Sequence, residues 1–249
     1  MKAMVLAAGL GTRLRPLTDE KPKALVEVAG RTMLEITLER LRCAGVREVI
    51  VNAHHFADQV VEYLRAHENF GLRVEVSRED VLLDTGGGLK QAAWFFRGED
   101  QPFLLHNVDV VSTIDLGRMI EAHREQDALA SLAVQERESS RQLLFDENGV
   151  LCGRRRGDAD AELVRNVDTP NPLAFCGIHV IGPRLLETMA EEGVFSILET
   201  YLRLAAGGER IVAFRADEYY WRDLGKPEQI AAAERDRERW IQQVSESAG

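Results

Sequence analysis

Ala8-Gly9-Leu10-Gly11-Thr12-Arg13-Leu14-Arg15-Pro16-Leu17-Thr18, residues 8–18, follows directly on the apolar run Lys2–Ala7. A buried strand that opens into a glycine-rich turn is the usual phosphate-binding place of an open α/β sheet. Glycine lets the backbone turn tightly and present N–H groups to an anion. A dinucleotide-binding turn would need a third glycine where Leu14 stands, and an acidic residue closing the second strand where the chain has Asn52. A P-loop would need Gly-Lys-Ser/Thr, which Gly11-Thr12-Arg13 does not supply. Two readings remain: a phosphate-handling turn of another kind, or a surface turn with ordinary basic residues. Arg13, Arg15, Lys21 and Lys23 cluster beside it, and Pro16 and Pro22 predict a stiff, extended arm rather than a helix. Such an arm can hold a guanidinium and an ammonium near one phosphate chain.

Outward from this turn, strand and helix patterns alternate. Thr32 and Glu35 form a capping-box pattern before Leu34, Leu38 and Leu41, and Gly45 closes that helix. Glu48–Asn52 reads as a strand, Phe56–Ala66 as a helix, Arg73–Val76 as a strand and Gly88–Phe96 as a helix. Pro102–His106 is again a strand, Asp115–Gln126 a helix and Ala128–Val134 extended. This order predicts an α/β fold, a Rossmann-like mixed and mainly parallel sheet flanked by helices. After about Glu136 the rhythm changes. Gln142–Phe145 and Val150–Arg154 flank the turn Asp146-Glu147-Asn148-Gly149, Leu173–Ile181 is a long strand, and two helices and two short strands follow. Pro227 opens a terminal helix. One domain is expected over 1–249: an alternating strand-and-helix half to about 135, a second half with a small antiparallel extension over about 136–226, and a C-terminal helix over 227–249.

The 249 residues carry a formal net charge of -10. So acidic a chain is poorly suited to wrapping nucleic acid or lying on an anionic membrane. No stretch approaches the ~20 apolar residues of a membrane span. Cys43, Cys152 and Cys176 are scattered, as buried thiols of a reducing compartment would be, so a cytoplasmic protein is expected. The run Arg154-Arg155-Arg156 reads as a solvated loop.

The full run Leu6-Ala7-Ala8-Gly9-Leu10-Gly11-Thr12-Arg13-Leu14-Arg15-Pro16-Leu17-Thr18, continued by Pro22-Lys23-Ala24-Leu25, resembles the signature of the sugar-1-phosphate nucleotidyltransferases. Later segments extend the likeness over nearly the whole chain, and Asn52-Ala53-His54-His55 is similar to the subgroup of N-acetylmuramate 1-phosphate uridylyltransferases and mannose 1-phosphate guanylyltransferase-like proteins. The resemblance implies the nucleotide-diphospho-sugar transferase fold and joining of a nucleoside triphosphate to a sugar 1-phosphate with release of pyrophosphate. It also implies nucleotide binding by Leu6, Ala8, Gly9, Gly11, Thr12 and Arg13, with Arg13 at the leaving pyrophosphate and Lys23 at the reacting phosphates as the catalytic pair. Leu82-Leu83-Asp84-Thr85-Gly86-Gly87-Gly88 resembles the base loop, which adds Thr85, Gly86 and Gly87, and Asn52 lies within reach of the nucleotide. Read from the residues alone, that segment is a glycine loop able to approach a flat ring, or a flexible start to the following helix.

Asp109 and Asp223 each follow an apolar strand, where an aspartate serves as a cap, a turn residue or a ligand. The resemblance of Asn107-Val108-Asp109 and of Trp221-Arg222-Asp223-Leu224-Gly225-Lys226-Pro227 to metal-bearing segments implies that Asp109 and Asp223 hold one Mg²⁺. Val108 stands where the family usually has glycine and is expected to narrow the pocket or shift its backbone. Asn107 and Gly177, in Phe175-Cys176-Gly177-Ile178, are the implied acceptor residues, while no Glu-Lys-Pro segment appears between Leu151 and Pro172. The pair His54-His55 reads as structural. A cytidylyltransferase for phosphocholine or a similar small molecule, and a non-catalytic nucleotide-binding regulator, are the competing readings. A monomer or small homo-oligomer is expected, with no appended β-helix.

Overall fold

The computed structural model describes residues 1–157 and 159–242. Its centre is four parallel strands: β1 (Lys2–Leu6), β4 (Glu48–Ala53), β5 (Arg73–Arg78) and β6 (Phe103–Asn107). β1 lies between β4 and β6, paired Met4 to Ile50 on one side and Met4 to Leu105 on the other. Ala3 and Val5 pack into one apolar cluster and Met4 into a second, so the two faces of the strand feed two cores. That is why β1 reads as a continuous apolar run instead of an alternating one.

The second half builds outward from β6. The long β12 (Asn171–Ile181) runs antiparallel to β6 and also pairs with β8 (Ala130–Gln135) and β9 (Arg141–Phe145). β10 (Leu151–Arg156) and the short β11 (Glu162–Leu163) continue that edge, and β13 (Ile211–Arg215) runs parallel to β8. The outcome is one ten-stranded mixed sheet. Two small ribbons stand apart: β2 (Glu27–Val28) with β3 (Arg31–Thr32), and β7 (Val110–Ser112) with β14 (Trp221–Asp223).

Helices α1 (Met33–Cys43), α2 (Ala57–Ala66), α3 (Asp84–Gln91), α4 (Leu116–Glu125), α5 (Arg184–Thr188), α6 (Ile197–Ala206) and α7 (Pro227–Arg235) flank these sheets. The Thr32 hydroxyl caps α1 by accepting from the Glu35 amide at 3.1 Å. The Glu35 carboxylate does not close the box; it accepts instead from the Tyr63 hydroxyl and pairs with Arg31.

Four expectations are corrected. The proline-bearing arm is not extended: Thr12–Leu14 and Lys23–Leu25 are single 3₁₀ turns, closed by bonds from Leu14 to Gly11 and from Leu25 to Pro22. α3 begins at Asp84, so Gly86, Gly87 and Gly88 lie inside a helix instead of ahead of it. Arg154–Arg156 belongs to β10, where Arg154 is largely buried and pairs with Glu162 and Glu199. The last α-helix stops at Arg235 and a 3₁₀ turn spans Arg237–Arg239; residues 243–249 of the expected terminal helix lie outside the described residues.

Candidate active site

The parallel strands end on a common side, and their carboxyl ends open into a cleft of about 500 Å³. From β1 and the turn after it come Leu6, Ala8, Gly9 and Arg13; from β4, Asn52; from β6 and beyond, Asn107, Val108 and Asp109; and from the arm, Lys23. Ligands bind at the carboxyl ends of parallel strands because the diverging connections leave a crevice there.

The turn brings its basic residues home by folding back. Gly11 takes φ +65°, and a Cβ there would lie 2.9 Å from Thr18 Cγ2 and 3.1 Å from Lys23 Cβ. The Thr18 hydroxyl donates to the Gly11 carbonyl at 2.9 Å and pins the loop. Lys23 is thereby carried into the cleft, where its ammonium forms an ion pair with the Asp109 carboxylate, both side chains nearly buried. Gly9 differs: nothing lies within 4 Å of where its Cβ would be. Its space is open to the cleft.

Asp223 does not line the cleft, but it stands next to Asp109. β14 pairs Asp223 with Val110, and the Leu224 amide donates to the Asp109 carbonyl at 2.7 Å. The Asp223 Oδ1 accepts from the Gly225 amide at 2.8 Å. A Cβ on Gly225 would sit 2.5 Å from Arg13 Nη2 and 2.7 Å from Asp223 Oδ1, so the missing side chain lets the Arg13 guanidinium reach the Asp223 carboxylate region. Arg13, Lys23, Asp109 and Asp223 thus converge from four separate segments. Two hard carboxylates beside a cleft, Asp109 in the turn before β7 and Asp223 at the end of β14, suit Mg²⁺, which takes one or two carboxylates and completes its octahedron with water and phosphate oxygens. Among the described residues no group of three or more His, Cys, Asp or Glu side chains is arranged to hold a metal, so His54 and His55 form no such centre. His54 Nδ1 lies 2.8 Å from the Glu79 carbonyl and the His55 ring rests on Phe56.

The polar support behind the cleft is charge-poor. Burial pushes the His106 and His179 imidazoles down to about 3, and His179 is bonded to the Tyr201 hydroxyl at 2.8 Å. Both are neutral at pH 7 and too far from their working range to exchange protons in catalysis. Arg40, lowered to about 10 by burial, donates to the Ser112 hydroxyl and the Ile114 carbonyl and braces β7 beneath Asp109.

Val108 lines the cleft yet is only 3 % exposed, packed in the apolar core. Its amide donates to the Leu6 carbonyl at 3.1 Å, so the backbone there continues the β1–β6 ladder.

Of the residues expected from the sequence, Gly11, Thr12, Gly86, Gly87, Gly177 and Asp223 do not line the cleft. Gly86 and Gly87 are buried behind it, and both amides donate to the Phe195 carbonyl. Thr85 lines the cleft, but its hydroxyl accepts from the Ile197 amide at 3.0 Å. Gly177, at φ +75°, leaves room for Asn107: a Cβ would lie 2.8 Å from Asn107 Nδ2. Sequence reading missed Glu79 and Val194, and took Leu82 and Asp84 only as parts of the base loop without naming them as site residues. Glu79 is the consequential one. It is 4 % exposed, accepts from Asn52 Nδ2 at 2.6 Å and from the Leu83 amide at 3.0 Å, and so joins the ends of β4 and β5 to the base loop. Its position just past the carboxyl end of the parallel strand β5 was the available signal.

Comparison with known proteins agrees with this geometry. The nucleotidyl transferase family profile matches residues 2–143, and the chain belongs to that family. It is 40% identical over 241 residues to N-acetylmuramate alpha-1-phosphate uridylyltransferase of Caulobacter vibrioides, an alignment covering 93% of this chain and 95% of that one. It is 29% identical to a mannose-1-phosphate guanyltransferase of Yarrowia lipolytica over 91% of this chain and 61% of that longer relative. The fold matches that of UDP-glucose pyrophosphorylase complexed with UDP-glucose, with a TM-score of 0.76 at 19% identity over 95% of this chain and 98% of the other. The chain is a sugar-1-phosphate nucleotidyltransferase. No helix among the described residues is long and apolar enough to cross a membrane.

Proposed function

We propose that this enzyme transfers the uridylyl group of UTP to N-acetylmuramate 1-phosphate, in the cytoplasm, with Mg²⁺ bound between Asp109 and Asp223. The observation that carries the chemistry is the meeting of Lys23 with Asp109 in the cleft at the strand ends. The 40% identity across nearly the full length of both chains supports the choice of substrates, and the scattered cysteines Cys43, Cys152 and Cys176 suit a reducing compartment.

The reaction is an in-line displacement. A phosphate oxygen of the acceptor forms a bond to the α-phosphorus of the triphosphate, and the bond from the α-phosphorus to the bridging oxygen breaks, releasing pyrophosphate. A phosphate monoester, with a second pKa of about 6, is already mostly dianionic at pH 7 and needs no base. The neutral, buried state of His106 and His179 fits that requirement. Lys23 and Arg13 neutralise the phosphates, the Gly9 backbone admits them, and Asn52 and Glu79 form the wall for the base. When bound, Mg²⁺ would supply further charge neutralisation at the phosphates. Catalysis here is positioning and electrostatics.

The test is pyrophosphate release with Mg²⁺, crossing UTP, CTP, GTP, dTTP and ATP with sugar 1-phosphates and phosphocholine. Release with UTP and N-acetylmuramate 1-phosphate above all other pairs is expected, abolished by chelation and restored by Mg²⁺. Release confined to CTP with phosphocholine would replace this assignment, and binding without release across the panel would favour a regulator.

A further inference from the structure

Arg137 stands just beyond the end of β8, on the acceptor half of the molecule. Its guanidinium lies over the Trp221 ring, 3.8 Å from the centroid, and donates from Nη2 to the Phe175 carbonyl at 2.9 Å. Its Nε is buried and has no hydrogen-bond partner. No carboxylate among the described residues pairs with it. The acidic side chains on either side in space, Glu136 and Asp217, are both turned to Arg215. A half-buried arginine held flat, its Nε turned in towards the Cys176 thiol and with no carboxylate partner among the described residues, presents its remaining guanidinium edge as a preorganised receptor for a planar anion.

Its position relates it to the site. Trp221 sits on the same strand as Asp223 and two residues before it, so both side chains leave the same face of β14. The Trp221 indole donates to the Cys176 carbonyl at 2.7 Å, immediately before Gly177. Gly177 in turn packs against Asn107, which lines the cleft. Arg137, Trp221, Gly177 and Asn107 are thus joined by successive contacts, and of the four Asn107 lines the cleft.

We infer that Arg137, stacked on Trp221, reads a second anionic group of the acceptor, a carboxylate distant from its phosphate, and thereby selects acidic sugar 1-phosphates over neutral ones. The inference rests on the sugar-1-phosphate reading above and adds a specificity-determining residue to it. Trp221 acts as the platform: it removes the guanidinium's freedom to turn and shields one face from water, so little ordering remains when the carboxylate arrives.

The experiment compares N-acetylmuramate 1-phosphate with N-acetylglucosamine 1-phosphate, which lacks the lactyl carboxylate, in the full-length enzyme and in Arg137→Ala and Arg137→Lys. The wild-type enzyme is expected to favour the carboxylate acceptor. Arg137→Ala should raise KM for it by about 10–100-fold, the loss of one charge-assisted contact, and leave kcat/KM for the neutral acceptor and KM for UTP within about twofold. Arg137→Lys, which keeps the charge without the flat stack, should retain part of the preference. Equal losses for both acceptors in Arg137→Ala, or an unchanged preference, would overturn the inference while leaving the transferase reading intact. A wild-type enzyme that turns over neither acceptor, or does not distinguish them, overturns it as well; the former outcome also removes the reading beneath it. Thermal melting of each variant separates these effects from misfolding.

Discussion

Two glycine clusters border the cleft, and they are glycine for opposite reasons. At Gly9 a side chain would meet nothing within 4 Å. At Gly86 it would run into the Phe195 ring, at Gly87 into the Gly193 carbonyl, and at Gly88 it would come within 2.7 Å of Glu79 Oε1 and 2.8 Å of Asn52 Nδ2. Gly9 leaves room for something that is not protein, although Gly11 in the same turn is packed against Thr18 and Lys23. The second cluster is filled by the protein itself, which accepts the poor helix propensity of three glycines in return for seating α3 against the segment before α6. A glycine-rich segment beside a nucleotide site is therefore no proof that the nucleotide touches it.

This contrast predicts that changes on the open side act on rate and binding, and changes on the packed side act on stability. The largest effect is expected at Asp109. Asp109→Asn keeps the shape but removes the charge that Lys23 faces, and should lower kcat/KM by about 10²–10³-fold with the melting temperature nearly unchanged. Steady-state kinetics beside a thermal melt would detect the opposite pattern, a stability loss with normal turnover, and that would place Asp109 on the structural side.

Next comes Gly86→Ala. Overpacking against Phe195 should cost about 1–3 kcal/mol of stability, a melting-temperature drop of roughly 2–12 °C for a chain of this size. An unchanged melt with raised KM for UTP would instead show that the nucleotide uses this glycine.

Acid should weaken the packed side too. His106 and His179 are depressed to about 3 by burial, so as the pH falls through about 6.5 the unfolded chain takes up protons that the folded one refuses. Their contribution is fully present above pH 6.5 and drains away towards pH 3, about 2 kcal/mol for each histidine by pH 5. Urea midpoints at pH 7 and pH 5, compared with those of His179→Gln, measure it; a pH dependence identical in the variant would contradict the assignment to His179.

The smallest effect is expected at Gly9. Gly9→Ala meets no protein atom, so the melt should not move, while KM for UTP rises about tenfold because a methyl group intrudes on the phosphate path. Unaltered KM would mean that the open space at Gly9 is not used.

Much of the molecule could be read from local pattern, and the misses have a common origin. Strand positions came within one or two residues in the parallel half, because a strand buried on both faces leaves a continuous apolar run. The Thr32 cap and Pro227 at the first turn of α7 were likewise visible, since capping chemistry is local. Arg154 was read as loop because three consecutive arginines look solvated; its partners are Glu162, across the β10–β11 pairing, and Glu199, from a distant point of the chain. The start of α3 was read late because glycine argues against helix, and the Phe195 carbonyl that holds its first turn is more than a hundred residues away. Glu79 was passed over for the same reason: its importance lies in Asn52 and Leu83 meeting it.

The sequence by itself made the parallel strands and most helices legible, and its resemblance to the family singled out Arg13, Lys23, Asp109 and Asp223 as candidates, because periodicity, caps and motif chemistry are written over short stretches of chain. The tertiary structure alone decided which of those residues meet, which glycines border open space and which are packed, and that Arg137 lies on Trp221 with no carboxylate partner among the described residues. Those outcomes depend on distances between segments far apart in the chain, and such distances are fixed only when the sheet closes and its two faces pack.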